Sequence, residues 1–145
     1  MKTLRHNART ASCFFLMAIC FCCLSWKSAL QQEKLDGTWI PVKQEMNGKT
    51  LPAAAFKGQK LVIADSTYTF TAESVDKGVV KRDQEKMDIY GREGVNAGRH
   101  FTAIWKLENG QLSICYNLAG DAYPAAFDTQ GRPTYFLCVY EKSEN

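Results

Sequence analysis

Lys60-Leu61-Val62-Ile63-Ala64-Asp65-Ser66-Thr67-Tyr68-Thr69-Phe70-Thr71 reads as two short strands folded back on each other. In the second half aromatic residues alternate with threonines, which places the rings on one face of a strand and the hydroxyls on the other. Asp65-Ser66 supplies the polar turn of a tight hairpin. The pattern recurs downstream. Glu108-Asn109-Gly110 divides Phe101–Leu107 from Gln111–Leu118, and Asn-Gly tolerates the positive φ that a type I′ hairpin turn demands.

Extended along the chain, the alternation predicts strands over 38–45, 60–64, 67–72, 78–83, 86–91, 99–107, 111–118 and 134–142. About eight short strands in up-and-down order suit an all-β, small antiparallel barrel, because closure removes exposed edges. Leu51-Pro52-Ala53-Ala54-Ala55-Phe56 is the one helix-like piece, with Pro52 in the first turn where its missing N–H is harmless. Gly37-Thr38-Trp39 opens the first strand, with the glycine admitting a steep entry and Trp39 placed to plug the closed end. Lys142, on the final strand, is positioned to lie against that indole. Pro41 cannot donate a ladder hydrogen bond, so the first strand is expected to bulge or form a seam. The 119–133 connection is long for such a domain and reads as lid-like, placed with the 51–57 segment around the mouths.

The N-terminus has the form of an export signal. Lys2, Arg5 and Arg9 precede an apolar run from Ala11 to Leu24, interrupted only by Ser12. That run is shorter than the roughly 20 residues needed to span a bilayer, so it predicts a cleaved signal peptide over 1–29 and one domain over 30–145. The mature form then has no transmembrane span, and its location is secreted or periplasmic, with a lipid- or signal-anchored form as the variant. Without Lys2, Arg5, Arg9 and Lys27, 14 basic residues face 15 acidic ones, so the net charge falls from +3 to about −1. A near-neutral domain lacks the basic footprint of a nucleic-acid binder. Cys115 and Cys138 alone survive removal of the leader. On neighbouring strands in an oxidising compartment they either form a disulfide or remain buried thiols.

Catalytic and metal chemistry find little support. Outside the leader His100 is the one histidine, and with two separated cysteines it makes a poor zinc set. No Gly-x-Ser-x-Gly elbow occurs. Asn47-Gly48-Lys49-Thr50 imitates the end of a phosphate loop, but Lys43 stands where its first glycine belongs, so it reads as a turn. Gly91, Gly94 and Gly98 lack dinucleotide-fingerprint spacing and read as a flexible loop. Asp83, Glu85, Asp88 and Glu93 alternate with Lys81, Arg82, Lys86 and Arg92, the pattern of a solvated face. No cofactor or metal is expected. The aromatic set is different: Tyr68, Phe70, Phe101, Trp105 and Tyr116 fall at alternating positions that turn inward together, as a pocket wall or as a plug.

Taken in order, Leu35-Asp36-Gly37-Thr38-Trp39, Asn47-Gly48-Lys49-Thr50-Leu51-Pro52, Leu61-Val62-Ile63, Tyr68-Thr69-Phe70, Met87-Asp88-Ile89, Ile104-Trp105-Lys106-Leu107 and Leu112-Ser113-Ile114-Cys115-Tyr116 resemble a family of small exported lipocalin-like proteins abundant in planctomycete bacteria. The resemblance covers nearly all of the mature chain. Pro124 and Phe127 match a proline and a phenylalanine of the family pattern, and Asp88 matches an aspartate that fixes a turn or a barrel-end hydrogen bond. Tyr123 stands where the family usually has arginine, which puts any role of that arginine in doubt. The resemblance implies a lipocalin-like barrel outside the cytoplasm. The function expected is non-catalytic binding of a small apolar or amphipathic molecule. The alternative is a filled barrel that meets a cell-surface partner through Tyr123, Pro124 and Phe127 on its long loop.

Overall fold

The computed structural model describes residues 35–144. The leader expected over 1–29, with its four cysteines and the expected cleavage, lies outside the described residues. Within them, the chain forms one antiparallel sheet that closes on itself. Its strands are β1 (Gly37–Met46), β2 (Lys49–Thr50), β3 (Lys60–Ala64), β4 (Thr67–Thr71), β5 (Val75–Asp83), β6 (Lys86–Glu93), β7 (His100–Glu108), β8 (Gln111–Asn117) and β9 (Tyr135–Lys142). Neighbours in sequence are neighbours in the sheet, and β1 pairs with both β3 and β9, which completes an eight-strand barrel with β2 as a short flap on β1. The expected strands are present. The one marked difference is β5, which begins at Val75 rather than at residue 78.

Closure runs through β1. Trp39 is opposite Leu61 on one side and Lys142 on the other. The register then shifts between Pro41 and Lys43, so Val42 is an extra residue in β1. Trp39, Pro41 and Gln44 face inward and are buried, while Ile40, Val42 and Lys43 face out. The bulge thus restores the alternation beyond a proline that cannot donate to the ladder, at the strand that seams the barrel. Asn109 and Gly110 have φ of 51° and 79°, as a type I′ turn between β7 and β8 requires.

Trp39 closes one end of the barrel. It is 1% exposed, its Nε1–H donates to the Leu35 carbonyl at 2.7 Å, and Lys142 Nζ lies 5.5 Å from the ring centroid. Leu35, Met87, Trp105, Leu112 and Tyr140 belong to the same apolar core. The opposite end is framed by the starts of β3, β5, β7 and β9 and by the ends of β4, β6 and β8. The helix-like segment is a 3₁₀ turn, Ala53–Phe56, preceded by Pro52 and anchored by buried Phe56.

A second, smaller apolar cluster lies outside the barrel wall. Cys115, Tyr135 and Leu137 are buried there with Ile104 and Phe127. These residues alternate with inward-facing Ile114 and Cys138, so the strands β7–β9 are covered on both faces. The cover is the 118–134 connection. It runs along the outer wall, which corrects the expectation that it rims a mouth: Thr102 Oγ1 donates to the Ala122 carbonyl at 2.6 Å, and Asn117 Nδ2 donates to Ala122 at 2.9 Å and to Asp121 at 2.7 Å.

Candidate functional site

The barrel is hollow toward its open end. A cavity of about 260 Å³ is walled by Leu61, Ile63, Val80, Met87, Ile89 and Ile114 deep inside, and by Phe70, Phe101, Leu118 and Phe136 nearer the mouth. Four of the five aromatic residues expected in a pocket wall are there: Tyr68, Phe70, Phe101 and Tyr116. Trp105 is not in the wall. It faces inward, but one layer down, opposite Ile114 and near the closed end. Its indole N–H is buried without a hydrogen-bond partner.

The void exists because large and small residues face each other across the sheet. Gly78 is opposite Tyr68, and a Cβ on Gly78 would stand 2.6 Å from Tyr68 Cε1 and nearer still to the Tyr90 carbonyl oxygen. The missing side chain lets the Tyr68 ring lie flat across β5. Val80, Ile89 and Ile114 are too short to fill the middle of the barrel, so an apolar space remains.

Three phenols give this space polar points. Tyr116 and Tyr140 hydroxyls are 3.2 Å apart. Burial pushes both phenols above their ordinary range, and Tyr68 is raised by burial and by the nearby charge of Asp76. All three are therefore neutral donors and acceptors at physiological pH.

The polar group at the mouth had no counterpart in the sequence reading. Asp76 is only 5% exposed, and its two carboxylate oxygens accept hydrogen bonds from Asn96, one from the backbone N–H and one from Nδ2, both at 3.0 Å. Asn96 Oδ1 in turn accepts from Arg99 Nη1 at 3.2 Å. Arg99 is exposed, and its guanidinium carbon lies 4.7 Å from the centroid of Phe101. The glycine-marked loop between β6 and β7, expected to be flexible, is thus fastened to β5. The available signal was Asp76 itself, which shares an inward face with Gly78 and Val80 once β5 is extended upstream.

The remaining expected residues occupy other places. Asp88 sits mid-strand on the outer face of β6, where Oδ1 pairs with His100 Nε2 and Oδ2 accepts from the Tyr123 hydroxyl, both at 2.6 Å. It fixes a strap across the wall and neither a turn nor a barrel end. Burial works against its charge, yet the hydrogen bonds from Tyr123 and His100 hold it below its ordinary value. The His100 ring stacks on Tyr90 at 4.5 Å. Lys81 and Lys86 lie over the rings of Tyr90 and Tyr123, and Glu93 pairs with Lys77 at 3.2 Å. No Ser or Cys nucleophile joins this cluster among its described partners. Among the described residues no group of three or more His, Cys, Asp or Glu is arranged to hold a metal ion.

Cys115 and Cys138 are on adjacent strands, one register step apart. Cys115 is opposite Leu137 and Cys138 is opposite Ile114, so their side chains point to opposite faces of the sheet. Both are free, buried thiols, each pushed up to about 11 by burial. Geometry therefore excludes the disulfide, in spite of the neighbouring strands. Tyr123, Pro124 and Phe127, the proposed partner-binding face, are folded down onto the barrel by the Asp88 bond and the outer apolar cluster.

No protein-family model and no curated protein matches the chain. Among solved structures it is similar to a mutant of the fluorescent protein UnaG, at 16% identity with a TM-score of 0.43, over 78% of this chain and 99% of that one.

Proposed function

We infer that the chain is an exported, non-catalytic binding module that holds a small apolar or amphipathic molecule in its barrel. One observation carries this reading: a cavity of about 260 Å³ with mainly apolar walls, reached from the open end. An apolar void of about 150 Å³ is already enough to take up benzene from water, because dry hydrocarbon walls gain contacts that no water provides. The larger space here fits a body bigger than one ring, with the neutral phenols of Tyr68, Tyr116 and Tyr140 as hydrogen-bonding points. The basic residues Lys2, Arg5 and Arg9 ahead of the apolar run Ala11–Leu24 support export, and outside the cytoplasm such a module would collect or carry its ligand.

Native mass spectrometry of the protein isolated from its host tests this. A bound small molecule is expected, and a Val80→Phe variant with wild-type circular dichroism should lose it by filling the void. A wild-type protein that carries no small molecule and takes up no added apolar probe overturns the reading.

A further inference from the structure

We propose that the ligand is an anionic amphiphile whose oxyanion head is held by Arg99 at the mouth, with its apolar body in the barrel; this rests on the binding reading above. Among the described residues Arg99 is the only cationic side chain in the cavity wall, and no carboxylate forms an ion pair with it. Only Nη1 is engaged, with Asn96, so most of the guanidinium donors remain open to the solvent side. Contact with the Phe101 ring supports the cation at the edge of the apolar space. A planar fork of N–H groups in that setting matches the two oxygens of a carboxylate, sulfate or phosphate.

The neighbouring carboxylate does not reverse this preference. Asp76 also borders the cavity, but it is buried and its two oxygens accept from the Asn96 backbone N–H and Nδ2, whereas Arg99 is exposed. That arrangement also fixes the amide the other way round, with its oxygen toward Arg99, so the buried acid orients the exposed base through one side chain. An approaching head group meets the guanidinium first.

Titration calorimetry of the purified protein with octanoate, octyl sulfate, octan-1-ol and octylamine separates the cases. At least one anion is expected to bind about tenfold tighter than octan-1-ol, the advantage of a charge-assisted pair. Arg99→Gln should remove that advantage and leave octan-1-ol within about twofold of wild type. Advantage for octanoate alone assigns the head as carboxylate, and for both anions as a general oxyanion. Equal binding of alcohol and anions, or an Arg99→Gln variant that keeps the anion advantage, overturns the assignment to Arg99 and leaves the binding module standing. Tighter binding of octylamine overturns it in favour of Asp76. If none of the four binds the wild-type protein, the binding reading falls as well.

Discussion

The Tyr123 hydroxyl donates to Asp88 Oδ2 at 2.6 Å across 35 residues of sequence, and this bond helps hold the long connection against the outer wall. With His100 on the other carboxylate oxygen, Asp88 fastens β7 and the 118–134 segment to the outer face of β6. Phe127 then seals the Cys115–Leu137 face of the wall. A segment of this length could have formed a lid over the cavity. It instead stiffens the barrel side and leaves the mouth to the shorter loop that carries Asn96 and Arg99.

Stability should therefore depend on pH at both ends of the scale. Folding lowers the Asp88 value below its ordinary 3.8, so its contribution is complete above that value and is lost as pH falls through the depressed one. Asp88→Asn should cost about 1 kcal/mol at pH 7, because a charge-assisted pair becomes a neutral one. The deficit should shrink below pH 3.8 in urea titrations. Tyr123 acts with opposite sign. The hydrogen bond to Asp88, then burial, push it up to about 12, so its contribution is complete below 10.0 and lost as pH rises through about 12. A Tyr123→Phe protein that shows the same alkaline loss as wild type would remove Tyr123 from this account.

The two buried indoles should respond differently to the same change. Trp39 donates to Leu35 and carries Lys142 on its face, whereas Trp105 buries an N–H with no acceptor. Replacing either with phenylalanine removes similar volume, but only Trp39→Phe also leaves the Leu35 carbonyl unpaired. Trp39→Phe is expected to cost about 1 kcal/mol or more beyond Trp105→Phe, and Trp39→Ala about 3–5 kcal/mol. Equal unfolding midpoints for the two phenylalanine variants would show that the indole hydrogen bond adds nothing.

Much of this barrel was legible because its strands carry local signals. Thr67–Thr71 alternates without interruption, Asn109-Gly110 marks its own turn, and Pro41 announces the bulge at the seam. The pocket wall was legible for the same reason, since Tyr68, Phe70, Phe101 and Tyr116 sit at alternate positions. Trp105 obeys the same alternation, but periodicity gives a face and not a depth along the barrel. The mouth was not legible. Asp76 puts a carboxylate where an inward position is expected to be apolar, and its partner Asn96 lies 20 residues away behind an extra residue, Arg92, in β6. Cys115 and Cys138 failed on a single step of register, which no residue spacing in either strand reveals.

Both thiols should stay reduced even in an oxidising medium. Each is fully buried and raised to about 11, so neither supplies thiolate at neutral pH, and the sheet separates them. In a protein comprising residues 30–145, Ellman's reagent should label neither cysteine in the native state and two per chain in guanidinium, and the melting temperature should not change with dithiothreitol. A reductant-sensitive melting temperature would contradict the assigned register.

Gly78 links the fold to the cavity, and its replacement gives the most direct check on the shape of the wall. A methyl group there would meet both the Tyr68 ring and the Tyr90 carbonyl. The ring can swing into the void, but the carbonyl belongs to a backbone paired on both sides by β5 and β7 and has little freedom to withdraw. Gly78→Ala is therefore expected to destabilise by about 1–3 kcal/mol, the usual cost of forcing atoms into a packed site. It should also weaken uptake of an apolar probe, because the displaced Tyr68 ring takes up cavity space. Chemical denaturation and probe titration on the same sample read both effects. An alanine variant with wild-type stability would mean that β5 and β6 are spaced more widely than described, and that Tyr68 does not lie across Gly78.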